Sequence, residues 1–216
     1  AEFLHQYYGI HGVPFKARAV AKVTRYNRLG MIWPGLTNWV LNGPLSGPLV
    51  KNPLGIAKER EMPRLASKTL RKWYRQWRAG KGNSGESYQT LQTIGATRAN
   101  QGQPRIYLFV DEFINYYDVE IGKKAMMFLT GLGYQVEVID HPESGRAAIS
   151  KGLLPMAREF ANENVRLFGD LVTGNAVLVG IEPSAILSFR DEYPRLVSPG
   201  LAKPARHLAQ HTFMLE

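Results

Sequence analysis

The 216-residue chain carries 27 Lys+Arg against 18 Asp+Glu, a net charge of +9, and no cysteine. Its 44% hydrophobic and 21% charged composition excludes a disordered polyelectrolyte, and its length allows one or two domains with a sizeable core. Without cysteine there is no disulfide, no thiolate-held zinc or iron–sulfur centre and no thiol nucleophile, and no run reaches the roughly 18 apolar residues of a membrane-spanning helix.

The chain opens on Ala1, with no initiator Met and no signal-like leader, and reads as a fragment or a processed chain. Charge divides it. Residues 1–100 sum to +12 and residues 101–216 to −3. Such asymmetry points to two units with different jobs. The first half is punctuated by Gly30, Pro34, Gly35, Gly43, Pro44, Gly47, Pro48, Pro53 and Gly55, which permit only short helices. Helices are expected near 16–29, 35–41 and 67–78. The last has an apolar stripe of Leu70, Trp73, Tyr74 and Trp77. Lys68, Arg71, Lys72, Arg75 and Arg78 are assigned to its other side. Two readings fit this helix: a binding face for nucleic acid or membrane, or, favoured, a helix docked by its aromatics with a solvated basic face. Residues 1–80 are thus read as a basic helical connecting segment. Residues 81–104, rich in Gly, Ser, Asn and Gln, are read as a polar linker or mobile loop.

Residues 105–216 alternate strand and helix. Ile106–Val110 suits a strand buried on both faces. Asp118 is expected to cap a helix that buries Ile121, Ala125, Phe128 and Leu129 and ends at Gly131–Gly133. A second strand is expected over 134–139. Pro155 opens a helix with Ala157, Phe160, Ala161, Val165, Phe168 and Val172 at helical spacing, and a third strand follows over 176–181. A short helix follows Pro183-Ser184. The β-α-β-α-β order predicts an α/β fold: a small parallel sheet with flanking helices, preceded by the irregular, mostly helical first segment. Ligands of such sheets gather beyond the carboxyl ends of the strands. Asp111, Glu112, His141, Glu143 and Glu182 fall there.

Several stretches resemble the cysteine-rich (CCG) domain region of FAD-linked oxidase and iron–sulfur oxidoreductase fusion proteins, of the D-lactate, glycolate and glycerol-3-phosphate dehydrogenase types. They are Leu108-Phe109-Val110-Asp111-Glu112-Phe113 with Asn115-Tyr116, Glu143-Ser144-Gly145-Arg146 with Ser150-Lys151-Gly152, Gly180-Ile181-Glu182-Pro183-Ser184-Ala185, and Phe189-Arg190-Asp191-Glu192-Tyr193-Pro194. Upstream, Leu54-Gly55-Ile56-Ala57 and Thr69-Leu70-Arg71-Lys72-Trp73 resemble the segment joining the ferredoxin region to the first CCG domain. The resemblance implies cluster-ligating cysteines at the three strand ends. Here those places hold Glu112, Glu143, Ser144, Glu182 and Ala185. Hard oxygen ligands and alanine do not replace thiolates on a cluster.

The implied function is therefore a non-cluster-binding module of a larger 2-hydroxy-acid oxidoreductase, acting in docking and structural support of electron transfer and not itself catalytic. FAD and [4Fe-4S] clusters are expected in the parent protein and none in this fragment. Its partners would be the FAD domain, the ferredoxin domain and a second CCG domain. Nucleic acid is not expected as a partner. A cytoplasmic location, with a peripheral place at the inner membrane face, goes with that reading. Two alternatives stand beside it. Asp111, Glu112, His141, Glu143 and Glu182, with Arg146 and Arg190 for anions, could line a metal or small-molecule site. The blander roles are helix caps and ion pairs to those arginines. The second alternative is nucleic-acid binding by the basic half. Ser144 and Ser184 lack a nucleophile motif and read as caps or turn residues, and His207 and His211 read as a surface pair.

Overall fold

A computed structural model describes residues 1–79 and 104–216. The expected linker falls almost wholly outside these residues. The architecture is the predicted α/β type: four parallel strands with helices on both faces. β1 (Arg105–Phe109), β2 (Gln135–Glu137), β3 (Ala176–Gly180) and β4 (Thr212–Met214) stand in the order β2-β1-β3-β4. Ile106 of β1 lies opposite Val136 on one side and Val177 on the other. The chain leaves β1 for β2 on one side, then returns for β3 on the other. This puts a topological switch point at the carboxyl ends of β1 and β3, where such sheets open a crevice.

β1 is buried on both faces, as its apolar run requires. Tyr107 and Phe109 enter one core layer with Leu178 and the aromatic rings of Phe168, Phe189 and Tyr193. Ile106, Leu108 and Val110 enter the other with Val136, Val179, Met126 and Leu129. Burial of each such side chain is worth about 1.5–3 kcal/mol. The first layer is built by α10 (Leu154–Phe168), α12 (Ser188–Asp191), α13 (Tyr193–Leu196) and α14 (Ala202–Gln210). The second is built by α6 (Leu70–Arg78), α7 (Glu112–Tyr116) and α8 (Val119–Gly131).

Ahead of α6 come α1 (Glu2–His11), α2 (Phe15–Ala21), α3 (Val23–Gly30), α4 (Pro34–Asn42) and α5 (Ser46–Lys51). The remaining short helices are α9 (Arg146–Ser150) and α11 (Pro183–Ile186). The expected helix over 16–29 is two helices, because the chain turns at Lys22 (φ −107°, ψ 19°). The turn lets Ala17 and Ala21 be buried, Ala21 beside Ala148, Ile149 and Ala157, while Thr24 and Asn27 are buried further on. Strand two is only three residues long, since β2 is an edge strand paired with β1 alone. β4 was not expected, being three residues long and without a strand-length pattern.

Two side-chain assignments on helices are corrected. Ile121 and Phe128 are 52% and 58% exposed, and α8 buries Val119, Gly122, Ala125, Met126 and Leu129 instead. On α6, Leu70 and Tyr74 are buried as expected, with Trp73 and Trp77 packed at the edge of the same layer. Arg71 is not on the solvated face; it turns inward to backbone carbonyls at the strand ends.

Candidate functional site at the strand ends

The backbone after β1 turns directly into α7, and Asp111 caps it. One carboxylate oxygen accepts the N–H groups of Phe113 (2.7 Å) and Ile114 (3.1 Å). Glu182 does the same after β3, accepting from Ala185 N–H (2.6 Å) and from the Ser184 hydroxyl (2.8 Å) at the start of α11. Glu182 and Asp111 therefore satisfy helix N-termini, which is the cap role weighed against a ligand role. Gly180, at the end of β3, lets α11 sit this close. A Cβ there would lie 2.5 Å from Ile186 Cβ.

After β2 the chain passes His141, Glu143 and Ser144 into Gly145, whose φ of 74° is the left-handed conformation glycine permits. Ser144 Oγ accepts the Arg146 N–H (3.2 Å), a turn role. Its carbonyl accepts the fully buried Tyr193 hydroxyl (2.8 Å). Asn164 Nδ2 donates to Tyr193 Oη (3.0 Å) and to the Glu143 carbonyl (2.8 Å). This locks the β2 loop onto α10 and α13. Tyr193 and Asn164 were not anticipated as site residues, although Tyr193 sits in the Arg190-Asp191-Glu192-Tyr193-Pro194 run that carries part of the family resemblance.

Glu112 is the electrostatic centre. Burial pushes its carboxyl up to about 7, with the charges of Asp111, Glu143 and Glu182 adding to the effect. Burial also pushes Asp111 up to about 6, opposed by its helix N–H groups and reinforced by Glu182. Glu143 is raised by burial, against the Thr24 hydroxyl and the charge of Arg28 on α3. The four carboxylates thus share one electrostatic neighbourhood, with α3 reaching it from the first half of the chain. Asn27 of α3 accepts the Tyr117 hydroxyl (2.6 Å), and Glu112 acts on Tyr117 as well.

His141 has a different setting. Its ring stacks on Phe109 (4.1 Å between centroids) and is buried. Nε2 accepts the Val110 N–H (3.0 Å) and Nδ1 donates to the Pro142 carbonyl (2.7 Å), so the ring is neutral with its proton on Nδ1. Burial holds its pKa well below the usual range, and the Arg71 guanidinium 3.0 Å away adds to that. Arg71 itself donates to the carbonyls of His141 (2.8 Å) and Val110 (3.2 Å), tying α6 to the ends of β1 and the β2 loop. Burial lowers its pKa from the ordinary arginine value. The sequence signal for Arg71 was its place beside buried Leu70, at the border of the aromatic stripe.

Arg146 and Arg190 form no ion pair with a carboxylate among the described residues. Arg146 is half-buried and its charge favours ionised Glu192, while Arg190 is exposed. Ala185 is buried behind the Glu182 cap. Among the described residues no group of three or more His, Asp or Glu side chains is placed to hold a metal ion. A thiolate-held cluster does not fit these donors either, since the chain has no cysteine. What the site does offer is unsatisfied polar capacity. Asp111 Oδ2, Glu112 Oε2 and Asn164 Oδ1 are buried with no hydrogen-bond partner among the described residues. With a carboxyl near 7, Glu112 can hold or release a proton close to neutrality.

No protein-family profile matches the chain, and no solved structure is similar enough to match it. Curated relatives do. D-2-hydroxyglutarate dehydrogenase of Pantoea ananatis (strain AJ13355) is 24% identical over 197 residues, covering 91% of this chain and 18% of that protein. The protein of the same name from Escherichia coli (strain K12) is 24% identical over 193 residues, covering 89% and 18%. A subunit of the anaerobic glycerol-3-phosphate dehydrogenase of Escherichia coli (strain K12) is 24% identical over 152 residues, which is 69% of the chain and 34% of that relative. The chain is thus similar to parts of oxidoreductases, and spans under a fifth to about a third of the length of these relatives. No helix among the described residues is long and apolar enough to cross a membrane.

Proposed function

We propose that the chain is a CCG-like module of a larger FAD/iron–sulfur oxidoreductase of the 2-hydroxy-acid dehydrogenase type, and that it binds no cluster itself. It supports electron transfer by holding neighbouring cofactor-bearing parts in place. One observation carries the reading. The places where the resemblance expects cluster cysteines, Glu112, Glu143-Ser144 and Glu182 to Ala185, lie at the three strand ends around one switch point, and oxygen-bearing side chains hold most of them, with Glu182 acting as a helix cap. The similarity to two kinds of larger dehydrogenase supports the parent chemistry. A cap that satisfies backbone donors is a structural replacement for a ligand, because it keeps the strand-end turns closed without a metal.

In this reading FAD and [4Fe-4S] clusters belong to the rest of the polypeptide, whose flavin would accept electrons from a 2-hydroxy acid. Anaerobic addition of D-2-hydroxyglutarate and related D-2-hydroxy acids to the full-length protein should bleach flavin absorbance and then reduce iron–sulfur clusters. A full-length protein with no flavin, or one that no 2-hydroxy acid reduces, would refute the parent chemistry.

A second reading has one observation in its favour. The unpartnered oxygens of Asp111, Glu112 and Asn164 leave hydrogen-bonding capacity for a small polar ligand at the strand ends. It predicts that turnover depends on Glu112 directly, whereas the first reading predicts that it does not.

A further inference from the structure

Thirteen of the eighteen exposed large apolar side chains among the described residues lie in the first 49 residues. α4 shows how they come to face outward. Its polar side chains turn inward: Asn38 exchanges hydrogen bonds with the backbone of Leu65 (both 2.8 Å), and Asn42 does so with Met62 (2.7 and 3.2 Å). Thr37 donates to the Gly30 carbonyl (3.0 Å). These bonds fix the helix rotation, so that Trp33, Leu36 and Trp39 are 69%, 53% and 65% exposed. α4 contributes no buried residue to the described fold. An amphipathic helix normally does the reverse. Ile32 beside it, and Leu45 and Leu49 at α5, are exposed as well. Large apolar side chains exposed together on one helix face mark an interaction site.

We infer that the surface of Trp33, Leu36 and Trp39 is an internal interface of the parent oxidoreductase, covered by a part of the same polypeptide outside these 216 residues. The inference rests on the module reading and names the surface through which the module docks. Two observations select this occupant. The D-2-hydroxyglutarate dehydrogenase of Pantoea ananatis shares only 18% of its length with this chain, and a match of 197 residues is too long to leave α4 outside it. Charge supplies the second. Of the six Lys and Arg in residues 1–51, Lys51 is buried, while Lys16, Arg18, Arg25 and Arg28 are exposed, against a single acidic residue, Glu2. The covering surface is therefore apolar at its centre and edged by carboxylates, the arrangement of an interface core with a charged rim.

Hydroxyl-radical footprinting of the full-length, monomeric protein tests this. Trp33 and Trp39 should oxidise at least about tenfold more slowly than in a Leu36→Asp variant, because a side chain buried in an interface core is cut off from solvent. Carboxylate–amine cross-links from Lys16 and Lys22 should lead to acidic residues outside this segment. Leu36 is exposed within the segment, so its substitution leaves the segment's own core intact. If the variant still fails to accumulate, oxidation of the unsubstituted protein decides alone. Rapid oxidation of both tryptophans overturns the inference. So does protection seen only when two copies associate, or only with anionic lipid vesicles present. The flavin and iron measurements that test the module reading do not depend on this footprint, so each can fail separately.

Discussion

At the scale of single residues, Glu112 is the side chain whose chemistry is most altered by the fold. In the unfolded chain its carboxyl ionises near the ordinary 4.5; in the fold it keeps its proton up to about 7. Between those values the folded state holds the extra proton, so stability falls as pH rises through that window. Asp111 acts with the same sign from 3.8 to about 6. His141 acts oppositely: below 6.5 the unfolded chain gains a proton that the folded one refuses, so stability falls as pH drops. Glu112→Gln removes only the first effect. Urea denaturation should show the variant keeping up to roughly 3 kcal/mol more stability than its parent on going from about pH 5 to about pH 8. An identical pH dependence in the two would mean that Glu112 ionises at the same pH in the folded and unfolded chains. Arg71 teaches a different lesson at this scale. Helical periodicity placed it next to the buried stripe, but periodicity describes faces. It does not say that two carbonyls at the strand ends need a donor, so a residue at the border turned inward.

At the scale of elements, the parts that were legible in the sequence were those with strong local patterns. β1 and β3 are apolar runs of β-formers, α10 starts at a proline and keeps its spacing, and α6 has its aromatic stripe. The parallel sheet followed from alternation alone. What was not legible depends on tertiary contact. The turn at Lys22 exists because alanines on α2 meet α9 and α10 while α3 reaches the carboxylates. The exposure of Ile121 and Phe128 depends on which side of α8 meets Leu70, and the small residue Gly122 marks that side. β4 is too short for a pattern. Close approach at Gly180 is the element-level feature most open to trial. Gly180→Ala puts a methyl group against Ile186, which is fully buried and cannot retreat. A loss of about 1–3 kcal/mol is expected, read as a lowered thermal midpoint. Gly200→Ala, with open space around its Cβ, should stay within about 0.5 kcal/mol of the parent. Equal midpoints for the two variants would show that α11 is not packed on the end of β3.

At the scale of the whole molecule, the chain is an α/β unit with an arm that reaches back to its strand ends and presents an apolar surface outward. The charge split of +12 and −3 coincides with that division of labour: the basic half carries the surface, and the acidic half carries the sheet and the carboxylates. Both features accord with the proposal that the chain is one module of a larger oxidoreductase, and the relatives are longer than the part they share with it. The central claim is that the strand-end carboxylates have a structural role and bind no cluster. It is tested most directly in the full-length protein with Glu112 and Glu143 changed to Gln and the Glu182 helix cap left in place. Iron, acid-labile sulfide and flavin per chain, together with 2-hydroxy-acid turnover, should match the unsubstituted protein. Loss of iron, or loss of turnover with flavin and iron retained, would contradict it.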